Sequence, residues 1–247
     1  FFVSLIVICL TVSVVSAADD NSDAITDAQS IDTTEVQKVV DDTQTIETAK
    51  KNNEIQKTVT NKDVKTNTST GSTYYVATNG KSSNSGTESS PFDLVSAVNK
   101  VKQERGGNIN VAGGTYKLTS TLTFNLAGTY SITGKSGQTI TFDGQSKDRI
   151  IYVGGNANLN VNNIIFTSGK NSGVGGAIFE DYNGKLTING CTFNSNTGHT
   201  GAAIYARGTS LTVQNSKFNQ NKATNSAGGI YTNVNGSIIS KNTFTSL

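Results

Sequence analysis

Histidine occurs once in this chain, at His199, and cysteine twice, at Cys9 and Cys191. Cys9 lies in an apolar leader that we expect to be removed. Cys191 then has no partner, and no intrachain disulfide staples the remainder. A catalytic thiol needs a neighbouring base, and His199 is the only imidazole. In its setting, "NTGHTG", His199 reads as a solvated loop residue and Cys191 as a buried structural thiol. Tryptophan and methionine are missing, and proline occurs once, at Pro91. The chain begins without Met, inside an apolar run, and stops at "NTFTSL" within a repeat, so we expect a fragment. Runs of Lys or Arg are also missing, which argues against a nucleic-acid partner.

The opening stretch, "FFVSLIVICLTVSVVSAADD", is predominantly apolar to Val15, and Val15-Ser16-Ala17 fits a cleavage site. Residues 1–18 read as a secretory signal peptide, a little short for a membrane span. An uncleaved anchor is the alternative; either form implies export to the medium or the cell surface. Residues 19–72 follow as a polar stalk or disordered linker. Up to residue 70 this stretch has no aromatic, Gly or Pro, and too little apolar area to offset chain entropy. Charge divides at the same place. Residues 19–73 hold 11 acidic and 6 basic residues, whereas 74–247 hold 7 acidic and 14 basic. The basic part suits anionic partners such as acidic glycans, though solvated surface charge is its ordinary meaning.

From Thr73 the composition becomes that of short strands. "STYYV" reads as a strand and "NGKSSNSGTES" (79–89) as a capped loop. "FDLVSAVNKVKQE" presents a helical face of Phe92, Leu94, Val95, Val98 and Val101, and Gly106-Gly107 is the expected stop. Thereafter β-branched bursts alternate with Gly and Asn. "GGAIFED", "GAAIYAR" and "AGGIYTN" begin at Gly175, Gly201 and Ala227, each 26 residues after the last. A second motif places Phe166, Phe193, Phe218 and Phe244 at intervals of 27, 25 and 26. Apolar pairs precede Phe166, Phe193 and Phe218 at strand spacing, with Ser237 and Ile239 in those places before Phe244, and turn-prone pairs such as Asn189-Gly190 follow them.

A period in this range means a solenoid, and the rear of each repeat is Gly/Asn loop and strand rather than Leu-rich turn. The expectation is a parallel β-helix over 73–247, C-terminally truncated, with three strands per coil and roughly five to six coils. Each residue then lies about 4.8 Å from its counterpart in the next coil. Ile178, Ile204 and Ile230 form one interior ladder and the Phe residues another. Gly176, Ala202 and Gly228 leave room where the coil is tight, and Asn196 and Asn221 form an amide ladder.

The GGAI words, with "FNSN" (193–196) and "FNQN" (218–221), resemble the GGAI and FxxN repeats of chlamydial polymorphic membrane proteins. They are also similar to adhesin-like surface proteins of methanogenic archaea, whose entry segment resembles "TYYVATNGKSSNSGTESSPFDLVSAV". The resemblance covers about 73–247. It implies an all-β, right-handed parallel β-helix with an N-terminal capping helix, displayed at the cell surface. "FTSG" (166–169) and GAAI depart from the pattern.

Chemistry is thinly supplied. Glycoside hydrolysis needs two carboxylates about 5–9.5 Å apart, and after Gly107 the acids are Asp143, Asp148, Glu180 and Asp181 only. One coil onward, Asp143 meets Gly169 and Asp181 meets Arg207. Glu180 and Asp181, being adjacent, face opposite ways on a strand. Asp143, in "FDGQ", reads as a turn residue, and Asp181, Arg207 and Asn233 as a stacked polar column. A lyase needs a basic proton abstractor; Arg149 and Arg207 have no Asp cluster beside them. We expect no catalytic residue, cofactor or metal. The candidate binding residues are Phe179, Tyr205 and Tyr231, which alternation turns outward as an aromatic stripe able to stack on sugar rings or dock a protein. The expected function is an exported adhesin-like protein that binds a glycan or a neighbouring cell through its sides, touching membrane only through its leader or an anchor outside the fragment. The alternatives are a pectin-lyase-like polysaccharide lyase or hydrolase whose catalytic coils are missing, and a structural envelope protein.

Overall fold

The computed structural model describes residues 71–246. The expected signal peptide and nearly all of the stalk lie outside the described residues. The described chain opens with β1 (Thr73–Val76), a long loop, and helix α1 (Leu94–Gln103). Asp93 caps the helix: its carboxylate accepts the Ser96 amide at 2.9 Å and the Ser96 hydroxyl at 2.7 Å. Leu94, Ala97, Val98 and Val101 are buried. Val95, expected on that face, is exposed because it falls outside the stripe the other four define. The helix also stops before the expected Gly pair. Glu104 closes it, Arg105 turns left-handed at φ 58°, and Gly106 already starts a strand.

Coils then follow in chain order. The first is β2 (Gly106–Val111), β3 (Gly114–Lys117) and β4 (Leu122–Phe124); the second is β5 (Gly128–Gly134), β6 (Ile140–Asp143) and β7 (Ile151–Val153). The third is β8 (Ala157–Asn162), β9 (Ile165–Thr167) and β10 (Ile178–Glu180). The fourth is β11 (Lys185–Asn189), β12 (Thr192–Asn194), β13 (Thr197–Thr200) and β14 (Ile204–Ala206). The fifth is β15 (Ser210–Gln214), β16 (Lys217–Asn219), β17 (Lys222–Ser226) and β18 (Ile230–Thr232). Strands β19 (Ile238–Ser240) and β20 (Thr243–Thr245) begin a sixth.

All ladder pairings between coils are parallel. The first strands of successive coils form a seven-stranded sheet that includes β1, the second strands a six-stranded sheet, and the last strands a five-stranded sheet. This is an all-β parallel β-helix. The extra pair β13–β17, within the loop before the GGAI-type strand, was not legible as strand. Nor was β3, whose Tyr116 heads the inner aromatic column.

The register places like on like. Ile151, Ile178, Ile204 and Ile230 are partners. Phe142, Phe166, Phe193 and Phe218 are fully buried in another column. From Phe166 to Phe244 the rings stack face to face, 4.8–4.9 Å apart. Below Phe166 they turn edge-on at 5.8 Å. Burying one such ring is worth about 3–5 kcal/mol against alanine.

The corners repeat as strictly as the strands. Asn163, Gly190, Asn215 and Lys241 all sit at φ between 53° and 63°, bending the first strand into the second. Ser168, Ser195 and Gln220 do the same after the Phe strands, each at φ 53°. Gly175, Gly201 and Ala227 form a third left-handed column at 56–61°. Asn and Gly tolerate that conformation, whereas alanine is strained there. At Gly176 the coil is too tight for a side chain, since a Cβ would lie 2.2 Å from the Thr197 carbonyl oxygen.

The amide ladder forms inside the solenoid. Buried Asn196 donates to Asn221 Oδ1 at 2.9 Å and to the Phe166 carbonyl, and accepts the Gly169 amide. Asn221 repeats the arrangement one coil on, donating to the Phe193 carbonyl. Asn196→Ala leaves the Gly169 amide without its side-chain acceptor and removes the side-chain bonds to Asn221 Oδ1 and the Phe166 carbonyl, and is expected to cost about 1–3 kcal/mol in urea denaturation. Asn194→Ala, on a half-exposed position, serves as its neutral comparison. Ala227→Gly relieves the left-handed strain and is expected to raise stability by about 1 kcal/mol in the same assay.

Candidate binding face

The outer aromatic column lies on the five-stranded sheet. Alternation does turn it away from the interior: Ile178, Ile204 and Ile230 are inward, and Phe179, Tyr205 and Tyr231 pair with one another on the opposite side. The column starts one coil earlier, at Tyr152. Tyr205 and Tyr231 stack at 4.9 Å and 8°, while Phe179 meets Tyr152 and Tyr205 edge-on at 5.6 Å.

Phe179 is not exposed as the stripe requires; only 8 % of its surface is accessible. Two guanidinium groups cover it, Arg149 at 4.8 Å and Arg207 at 5.1 Å from the ring centroid. Burial pulls Arg149 below its ordinary value, and its Nε donates to the Gly175 carbonyl at 2.9 Å. Arg207 also lies 4.5 Å from the ring of Tyr182, which is 65 % exposed. The accessible aromatic surface is therefore Tyr182, exposed beside Arg207, together with the half-buried Tyr152, Tyr205 and Tyr231 along the column. Sequence reasoning missed Tyr152, Tyr182 and the covering role of Arg149. Tyr152 was findable, since it precedes Phe179 by one period in "IIYV".

Asp181 and Arg207 make the expected ion pair, at 2.8 Å. Burial pushes Asp181 up, but the Tyr182 amide, the Arg207 guanidinium and the Tyr152 hydroxyl outweigh it and hold the carboxyl below its ordinary value. The Tyr152 hydroxyl donates to it at 2.9 Å. Asn233, in the same register, donates its backbone N–H to the Ala206 carbonyl.

Asp143 lies opposite Thr167, not Gly169 as the period suggested, because the 143–150 turn is one of the irregular stretches of the repeat. It accepts the Gln145 amide at 2.8 Å, a turn role. Asp148 accepts the Arg149 amide. Cys191 is buried, with its thiol pushed up to about 12 by burial, and the exposed His199 bonds to the adjacent Thr200 hydroxyl. The two do not form a nucleophile–base pair. Among the described residues no group of three or more His, Cys, Asp or Glu could hold a metal ion. None of the described helices is long and apolar enough to cross a membrane.

Glu180 is the anomaly. It occupies an interior column otherwise built of Phe124, Val153, Ala206 and Thr232. It is fully buried, and neither carboxyl oxygen has a hydrogen-bond partner. Glycine makes the space: a Cβ at Gly208 would meet Oε1 at 2.3 Å. Burial pushes the carboxyl up to about 8, with only the Ser210 backbone acting the other way. Folding at neutral pH therefore takes up a proton. Stability from this group is full below about pH 4.5 and is lost as pH rises through about 8.

Compared with known proteins, the chain matches no family model, no curated protein and no solved structure.

Thermal melts of the wild type are expected to fall in midpoint from pH 5 to pH 9, at up to about 1.4 kcal/mol of stability per pH unit inside the window. Glu180→Gln removes that slope. Glu180→Val, which matches its column neighbour, removes it and also raises the midpoint at pH 8.

Proposed function

We propose that the chain is an exported, surface-displayed β-helix that binds a glycan or a neighbouring cell surface through its side, without catalysis. The observation that carries this reading is the outer aromatic column with its guanidinium clamp. Tyr205 and Tyr231 stack face to face as one half-exposed aromatic block, and the exposed Tyr182 ring with Arg207 borders it. Flat rings take the apolar face of a sugar, and a guanidinium donates to its hydroxyls or to a carboxylate. The fate of the acids supports binding over hydrolysis. Glu180 and Asp181, the one adjacent acidic pair among the described residues, are divided by the sheet: one points into the core and the other is held by Arg207 and Tyr152. Neither is placed to work with the other on a glycosidic bond. The GGAI and FxxN resemblance, the leader and the polar stalk support export and display.

Binding to glycan arrays and to whole cells is the test, comparing the wild type with a Tyr205→Ala, Tyr231→Ala double variant. At least a tenfold loss of binding by a variant with unchanged circular dichroism is expected. Equal binding removes the aromatic column from the function. Release of reducing ends from a bound polysaccharide would replace the reading with an enzymatic one.

A further inference from the structure

A groove of about 600 Å³ lies at the start of the solenoid, on the seven-stranded sheet and away from the aromatic column. Its size is that of a small-molecule cleft. Three register-matched outward positions make its floor: Tyr75 of β1, Asn110 of β2 and Thr133 of β5. They point outward because Val76, Ile109, Val111 and Ile132, which alternate with them, are buried. Asn163, in the left-handed corner one residue beyond Thr133's register partner Asn162, lines the groove one coil further on. The wall comes from the loop after β1, which the sequence marked only as a capped loop. That loop is tied down by Asn84 donating to the Pro91 carbonyl at 2.7 Å and by Phe92 donating to the Tyr75 carbonyl at 2.9 Å. Across the rim, Glu88 of the loop meets Lys135 at 3.1 Å.

We propose that this groove is a binding site for an uncharged saccharide lying along the stacking direction. Three features select that ligand. The half-buried Tyr75 ring, beside the apolar edge of Ala77, Pro91 and Ala112, offers a stacking surface of one ring's size. Next to it, Asn110, Thr133 and Asn163 supply amide and hydroxyl groups at successive coil heights about 4.8 Å apart, so hydroxyls repeating along a linear glycan find partners in sequence. The rim carries one acid and one base already paired, so the groove presents no net charge to hold an anion. The pair is exposed and worth about 0–1 kcal/mol, so it can open to share its donors and acceptors with sugar hydroxyls.

Isothermal titration and NMR chemical-shift mapping test this with neutral linear hexasaccharides of glucose, mannose and N-acetylglucosamine, and with oligogalacturonate as the charged comparison. At least one neutral oligomer is expected to bind and to shift Tyr75, Asn110 and Thr133. Tyr75→Ala is expected to weaken it by about tenfold or more. Ser136→Trp fills the groove from an exposed rim position and weakens binding equally without touching the core, which keeps the test decisive if Tyr75→Ala does not fold. Asn194→Ala, outside both faces, binds the same oligomer as wild type, and the Tyr205→Ala, Tyr231→Ala double variant keeps the shifts at Tyr75, Asn110 and Thr133 whatever it loses at the aromatic column. The proposal is overturned if no neutral oligomer binds, if binding survives both groove variants, or if oligogalacturonate alone binds in a salt-sensitive way. It is also overturned if the double variant alone loses binding, an outcome that supports the aromatic column instead.

Discussion

Parallel pairing between coils is the constraint on which the rest depends. It ties each residue to one neighbour in the coil before and one in the coil after, so a side chain that suits one layer must suit the next. The Phe column stacks in near-parallel rings because its members share a register, not because aromatic attraction brought them together. The corners obey the same rule. From the third coil on, three matched corner positions adopt left-handed backbone, and the chain places Gly, Asn, Ser or Gln there, with Ala227 and Lys241 the costlier members.

That constraint explains why the architecture was legible and the site was not. The 26-residue spacing of the Ile-aromatic word and of the Phe strands specified the register, and the structure reproduces Ile178 on Ile204 and Asn196 on Asn221. Strands without a repeated apolar pair, such as β13 and β17, carried no such mark because they are held by backbone bonds at a coil's edge. Helix α1 was recognisable by its stripe and ends within a residue of the segment read from sequence, although Arg105, not a glycine, takes the left-handed turn.

Function fared differently because lateral contacts between coils are not periodic. The stripe of Phe179, Tyr205 and Tyr231 was readable as outward by alternation. Its partial covering by Arg149 depends on a side chain reaching across from a different part of the coil. Glu180 shows the same limit. Adjacency predicted that it and Asp181 face opposite ways, but only the packing of Gly184 and Gly208 around it shows how a carboxyl fits an apolar column. The groove beside Tyr75 joins a loop to three coils, so no single repeat contains it.

The hydrogen bonds joining one coil to the next run along the stacking direction. Tension applied along that line does not shear many bonds together; it loads one layer's ladder at a time, as peeling does. Mechanical endurance is then set by the weakest layer rather than by the sum of layers. If such a solenoid is held at one end and loaded at its flank, where along its length the load falls decides how many layers carry it.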